Sequence, residues 1–434
     1  MFYVVDALFG LHNTFLSYNC LEIYEIRYLS FNKLVLYILS TFVLLIFENN
    51  NTFLVNKTIL CMQPVSRRDW LRLSGLALAS LSLQQKLSAT ESLAEQPFMP
   101  LPGNPMARLS SNENPYGPSE RVKKAIIDKM DVVCRYPFSY QDELLQAIAD
   151  WEGVSKDHIV LTAGSTEGLK IAGLTLGWKG GEIIAPDPTF NSLMVYAEQF
   201  GAKIHKIPVT PSLDHDLVGM AAKINENTKL VFVCNPNNPT GTLIPENDLR
   251  AFCKQAAEKT TVFVDEAYFD FITTPDYPSM VELVKQGLNV IVSRTFSKVY
   301  GLAGLRMGYL VANPVMASKL IANRVAFVGT VGMVAAKEAL ADKAFYAFSL
   351  LKNKEAKDHI YATLDSLGLV YTPSHTNFVF FKPKKELGAF NKELEKWGVQ
   401  AGRPFPPLIE WSRISTGTME EMQQFRVAMQ KIYS

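Results

Sequence analysis

The chain has 434 residues, 48% of them hydrophobic, which is enough for a large buried core and two domains. Its 43 Lys and Arg nearly cancel its 42 Asp and Glu, and no basic run interleaved with aromatics stands out, so phosphate-backbone binding has no electrostatic support and no nucleic-acid partner is expected. The five cysteines, Cys20, Cys61, Cys134, Cys234 and Cys253, show no Cys-x-x-Cys or Cys/His ligand spacing, so no metal site is expected either.

Residues 1–61 are rich in Phe, Leu, Tyr, Ile and Asn, and their apolar run from Leu34 to Phe47 falls short of the roughly 20 residues that span a bilayer. Next, VSRRDWLRLSGLALASLSL (Val65 to Leu83) sets Arg67 and Arg68 ahead of Trp70, a leucine, the further base Arg72 and a modest apolar run. This resembles a twin-arginine export signal, with Trp where Phe is usual and Arg72 where Lys often stands; Ser92-Leu93-Ala94 offers a small-x-small cleavage site. The plain alternative is a basic amphipathic helix start on a cytosolic protein. Such a signal normally opens a chain, so translation is expected to begin at Met62. Residues 1–61 are then a start-site misassignment and 62–95 the signal, with a genuine membrane anchor as the rival. The signal implies a periplasmic or exported protein, and a cytoplasmic one if it does not function.

Residues 106–142 carry SNENPYGPS, with Tyr116, and RYPF, with Tyr136. From Asp157 short apolar runs alternate with helical patterns: HIVLTAG, GEIIAPDP, LVFVCNP, TVFVDEA and VIVSRTFS each read as a strand. Near-continuous apolar strands separated by helices predict an α/β fold with a mostly parallel sheet sandwiched by helices over 143–313. Cys234 ends one such strand and Cys253 lies in a helical pattern, where free cysteines act as small buried hydrophobes. After Asn313 a long helical pattern runs from Pro314 toward Leu367. The strand-like NFVFFK and RISTG then give 314–434 the look of a smaller α+β domain.

Open α/β sheets bind ligands just past their strand ends, and the informative strings fall there. AGSTEG (Ala163 to Gly168) joins a strand to a helix, so the amides of Ser165 and Thr166 would face an anion along the helix dipole. NPNNPTG (Asn235 to Gly241) contains Asn238, although it is also good turn chemistry. VDEAYFDF (Val264 to Phe271) places Asp265 and Tyr268 at a strand end, where a cap and a core aromatic are the bland alternatives. SRTFSKVYGLAGLRMGYL (Ser293 to Leu310) sets Lys298 behind the hydroxyls of Thr295 and Ser297 and eight positions ahead of Arg306. An amine condenses with an aldehyde only when deprotonated, and hydroxyls with an arginine suit a phosphate.

NPNNPTG, VDEAYFDF and SRTFSKVYGLAGLRMGYL follow one another in a fixed order, and from about Arg108 to the C-terminus the chain resembles the fold-type-I pyridoxal-phosphate aminotransferases of class I/II, and within them most closely the histidinol-phosphate aminotransferases. The resemblance implies pyridoxal 5′-phosphate as cofactor and an amino donor with a 2-oxo acid acceptor as substrates. Lys298 would form the Schiff base and shuttle the proton, Asp265 would hold the pyridine nitrogen protonated, and Tyr268 and Asn238 would bind the phenolic oxygen. Thr295, Ser297, Arg306, Ser165 and Thr166 would hold the phosphate. Phe190, in DPTF, stands where the family places an aromatic over the ring; tyrosine is more usual there, and Phe drops its hydroxyl. Arg413 in RISTG would grip the substrate carboxylate, Arg403 would be a second substrate-side arginine and Tyr116 an arm contact. Tyr136 would reach a neighbour's cofactor phosphate, making a homodimer with shared active sites, and 106–142 would join the tail in the small domain. The loop GRPFPPLIEW (Gly402 to Trp411) is stiffer and more apolar than a phosphorylated imidazole requires. Two alternatives stay open: a decarboxylase of the same fold, and a ligand-sensing regulator domain.

Overall fold

The computed structural model describes residues 106–434. The export-signal-like segment, residues 1–61, Cys20 and Cys61 lie outside the described residues.

Eleven strands are formed among the described residues: β1 (Ala107–Arg108), β2 (Ile159–Thr162), β3 (Glu182–Asp187), β4 (Lys203–Pro208), β5 (Thr228–Cys234), β6 (Thr261–Asp265), β7 (Val290–Thr295), β8 (Gly308–Ala312), β9 (Phe378–Phe381), β10 (Val399–Gln400) and β11 (Ser412–Ser415). Seven of them make one sheet in the order β2-β8-β7-β6-β5-β3-β4, parallel except for β8, which runs against both neighbours. Its central strands are apolar on both sides because helices cover both faces. Val231, Val233, Val262, Val264, Val290 and Val292 belong to one buried cluster, whereas the alternate residues Leu230, Phe232, Phe263 and Ile291 belong to another. Cys234 and Cys253 are buried, as expected, and Cys134 is exposed.

Register explains where the ligand-facing rim forms. Asp265 pairs with Cys234 on β5 and Ser293 on β7, so the turns after β5, β6 and β7 open side by side. Because β8 is antiparallel, its first residue, Gly308, pairs with Thr295 at the end of β7 and with Thr162 at the end of β2. A Cβ at Gly308 would come within 2.8 Å of Arg294 O, Gly164 C and Ser165 N, so only glycine lets the three segments meet.

The C-terminal part holds two small sheets, β1 parallel to β10 and β9 antiparallel to β11. Ala107, Leu109, Ile360, Phe381, Phe390, Ile414 and Phe425 share one buried cluster. Only the start of the 106–142 segment joins it. Further on, Val122 of the helix Glu120–Ile127 and Leu144 of the helix Phe138–Glu152 belong to the cluster of the large sheet, and both helices contact the helix Thr330–Ala341. The long helical pattern after Asn313 resolves into three helices, Pro314–Ala322, Thr330–Ala341 and Lys343–Ser366. The last starts at an Asp342 cap whose carboxylate accepts Phe345 N–H at 3.0 Å.

Candidate active site

A cavity of about 330 Å³ opens at the rim just described. Ten residues singled out in the sequence line it: Ser165, Thr166, Phe190, Asn238, Asp265, Tyr268, Thr295, Ser297, Lys298 and Arg306. They come from five separate segments, and the sheet register brings them together.

One end is built for an anion. The helix Ser165–Gly177 begins at Gly164, whose φ of 76° and missing side chain leave the first amides with no side-chain cap. Arg306 reaches over that end, its Nη1 donating to Ala303 O at 2.8 Å and lying 3.5 Å from Ser297 Oγ. No carboxylate pairs with Arg306 among the described residues. A bare helix start, two hydroxyls and an unpaired guanidinium make a phosphate cradle.

At the other end lies Asp265, 2% exposed at the close of β6. Burial pushes its carboxyl up to about 7, against the smaller pull of the Ala267 amide, Ser293 and Lys298. A carboxyl so placed is stabilised by a cation delivered into the cavity, which is what a protonated pyridine nitrogen offers. Lys298 stands between, its Nζ donating to Asn112 O at 2.9 Å and lying 5.5 Å from the Tyr268 ring centroid. Its amine is driven down to about 8, by burial first and by Arg413 and Arg306 next. Tyr268 OH accepts from Asn112 Nδ2 at 2.9 Å. Anion cradle, reactive amine and buried carboxyl thus fit the phosphate, aldehyde and ring nitrogen of pyridoxal 5′-phosphate.

Arg413 on β11 is 7% exposed and adjoins the cavity through Asn238, whose Oδ1 accepts Nη1 at 2.7 Å; Nη2 donates to Ser110 O, also at 2.7 Å. Its Nε has no hydrogen-bond partner among the described residues, and burial brings its pKa down to about 10.

Three other residues singled out in the sequence lie outside the cavity. Tyr116 lines a separate small recess with Asn353 and Thr416 and meets Phe348 edge-on. Arg403 is exposed, folds its Nη1 onto Pro404 O and, like Arg413, rests on the Phe405 ring. Tyr136 is 80% exposed and stacks on Phe138. Conversely, Ser111, Asn112 and Glu113 were not singled out, yet they sit at the cavity or against its lining. The string SNENPYGPS contained them, and its polar run ahead of a proline was the available signal.

A sequence model of the aminotransferase class I and II family matches residues 104–429. The chain belongs to this family. Among its relatives, histidinol-phosphate aminotransferase of Moorella thermoacetica is 39% identical over 329 residues, covering 75% of this chain and 85% of that protein. The enzyme of the same name from Brevibacillus brevis is 36% identical over 330 residues, covering 75% and 90%. The crystal structure of histidinol-phosphate aminotransferase from Sinorhizobium meliloti in complex with pyridoxal 5′-phosphate superposes with a TM-score of 0.71 at 26% identity, covering 80% of this chain and 99% of that one. The aminotransferase uses pyridoxal 5′-phosphate and takes an amino donor and a 2-oxo acid as substrates. The expected fold-type-I α/β architecture and the expected transaminase chemistry are both borne out.

Proposed function

We propose that the aminotransferase works through Lys298 and takes as donor an amine bearing a nearby anionic group, either an amino acid or histidinol phosphate. The observation that carries this reading is the single cavity in which Lys298, Asp265 and Arg306 meet, with Arg413 at its edge. Pyridoxal 5′-phosphate supplies an aldehyde that takes up the donor amine and a ring that draws electrons from the donor α-carbon. Thr295, Ser297, Arg306 and the amides of Ser165 and Thr166 hold its phosphate. Asp265 keeps a proton on the ring nitrogen, Asn238 and Tyr268 bind the ring oxygen, and Phe190 packs against the ring without offering a hydroxyl.

Lys298 anchors the aldehyde. Burial holds the Lys298 amine down at about 8 in the free site, and the same amine would take the donor's α-proton and return it. Arg413 fixes the donor's anion and so aims the α-carbon at Lys298. The relatives' names favour histidinol phosphate as the donor. Arg403, which shares the Phe405 ring with Arg413, is the second substrate-side arginine and acts on the outer part of the donor, while Tyr116 serves as an arm contact beside the cavity.

The test mixes holoenzyme with single amino acids and with histidinol phosphate and follows both the cofactor absorbance and the 2-oxo acid turned over. Lys298→Ala should still bind cofactor but lose turnover by at least about a thousandfold. Ordinary rates in that variant would refute the assignment, and carbon dioxide release in place of amino transfer would favour the decarboxylase.

We further propose a homodimer in which Tyr136 reaches the partner's cofactor phosphate. The exposed aromatics Tyr136, Phe138 and Phe327, which contact one another, support an interface at that surface. Light scattering tests it, a monomer at micromolar concentration being the contrary result. Nucleic acid has no part in this reading. Nor does the membrane, beyond transit during export by the twin-arginine route from a start at Met62. N-terminal sequencing of the native protein tests that: a first residue near Glu95 supports it, and any peptide from residues 32–56 overturns the start.

A further inference from the structure

Two residues outside every role assigned above are arranged around the Tyr268 hydroxyl. Asn112, 2% exposed, occupies the left-handed region at φ 53°, which asparagine tolerates better than most residues. Its backbone N–H donates to Ser415 Oγ at 2.9 Å, and Ser415 Oγ lies 2.7 Å from Asn112 Oδ1. Having accepted one hydrogen bond from the backbone, the serine hydroxyl has its own proton free to donate, and Oδ1 is the acceptor in reach. That pins the side-chain amide with its oxygen toward Ser415 and its NH2 toward Tyr268, 2.9 Å away. The tyrosine oxygen therefore receives a hydrogen bond on its protein side, and its proton must point elsewhere.

We propose that Ser415 and Asn112 are positioning residues that turn the Tyr268 hydroxyl proton into the cavity, toward the ring oxygen of the cofactor. The inference rests on reading the cavity as the cofactor site. With the amide reversed, Oδ1 would accept from Tyr268 and draw that proton out of the cavity. Each hydrogen bond also polarises the next, so a chain of Ser415, Asn112 and Tyr268 makes Tyr268 a stronger donor than an isolated phenol. Strand β11 serves the site twice: Arg413 and Ser415, two residues apart, share the face opposite Ile414. The charged or titratable groups acting on Tyr268 are Arg413, Cys234, Asp265 and Lys298, none of which the test variants change.

The experiment titrates the visible absorbance of the holoenzyme against pH, because the hydrogen bond to the ring oxygen sets the midpoint. Asn112→Asp offers Tyr268 only acceptors, so its midpoint should rise by roughly one unit, the worth of one hydrogen bond. Ser415→Ala unpins the amide while removing a single hydroxyl and should move the midpoint less, in the same direction. In a Tyr268→Phe background the Ser415→Ala shift should vanish and the Asn112→Asp shift should shrink to the part its added charge contributes beside Lys298, which separates proton direction from charge. Unmoved midpoints, or shifts of equal size without the Tyr268 hydroxyl, overturn the inference alone. A wild-type apoprotein that gains no visible absorbance when pyridoxal 5′-phosphate is added overturns the reading of this cavity as the cofactor site, and this inference with it.

Discussion

Arg413 Nη1 donates to Asn238 Oδ1 at 2.7 Å, tying the last strand of the C-terminal part to the turn that follows β5. The guanidinium is buried and has no carboxylate partner among the described residues, so its desolvation is repaid only when an anion arrives. Arg413→Ala should lower kcat/KM for the anionic donor by about 2 to 5 kcal/mol, from roughly thirtyfold to several thousandfold. Arg413→Lys should restore little, since an ammonium lacks the planar fork. Half-reaction rates at saturating and limiting donor check both statements.

Asp265 links cofactor binding to pH. Its folded pKa is raised from 3.8 to about 7, so the stability it contributes is full below pH 3.8 and is lost as pH rises through about 7. The apoenzyme of Asp265→Asn should therefore be more stable than wild type at pH 8, by on the order of 4 kcal/mol at most, and no more stable at pH 3. Its affinity for cofactor should fall. Thermal unfolding of the two apoenzymes against pH, beside cofactor titration, is the measurement.

Lys298 works in the opposite sense. Its folded pKa is depressed from 10.5 to about 8, so burial of the charged amine destabilises the apoenzyme below pH 8, and stability recovers as pH rises from 8 to 10.5. Lys298→Met should flatten that part of the apoenzyme's stability profile, as denaturant midpoints across the range would show.

Gly164 is a point where backbone and ligand compete for space. A Cβ there would lie 2.4 Å from Arg306 Nη2, and the residue's φ of 76° is unfavourable for any side chain. Gly164→Ala should displace the guanidinium and weaken cofactor affinity by about tenfold or more, read by titrating apoenzyme with pyridoxal 5′-phosphate.

Beneath the site, buried Arg294 on β7 lies 3.1 Å from Glu266 and 3.7 Å from Glu152, and 4.1 Å over the Phe269 ring. Arg294→Met would leave two buried carboxylates without their cation. A loss of about 3 to 5 kcal/mol is expected, seen as a lower denaturant midpoint with an unchanged slope.

Strands β2, β3, β5, β6 and β7 were legible in the sequence because burial on both faces leaves continuous apolar runs. KIHKIP of β4 was not, since this sheet-edge strand is largely polar and only Ile207 is buried. GYLVA of β8 is apolar and short enough to read as a strand, but nothing in its pattern says that it runs antiparallel between β2 and β7. The helical run from Pro314 was read as one piece, whereas the chain leaves the helix over residues 323–329, ending at the Gly329 cap, and breaks again at the Asp342 cap. Lys298, Asp265 and Arg306 line one cavity, as their strings at successive strand ends led one to expect. Asn112 and Ser415 were not singled out, because they meet across 303 positions and each is an ordinary polar residue locally. Tyr116 and Arg403 were singled out for their neighbours in sequence, and neither lines the cavity, although Arg403 shares the Phe405 ring with Arg413.

The connection 296–307 between β7 and β8 holds both Lys298 and Arg306, and Gly308 pins its far end against the start of the helix Ser165–Gly177. Reach along this one excursion is thus set by counting residues: the distance between amine and guanidinium is a matter of chain length as much as of side-chain identity. Most surface loops absorb an added or deleted residue with little harm. Here a single-residue insertion between Val299 and Leu305 would put anchor and clamp out of step, so indels in this segment should be as damaging as losing Lys298 itself.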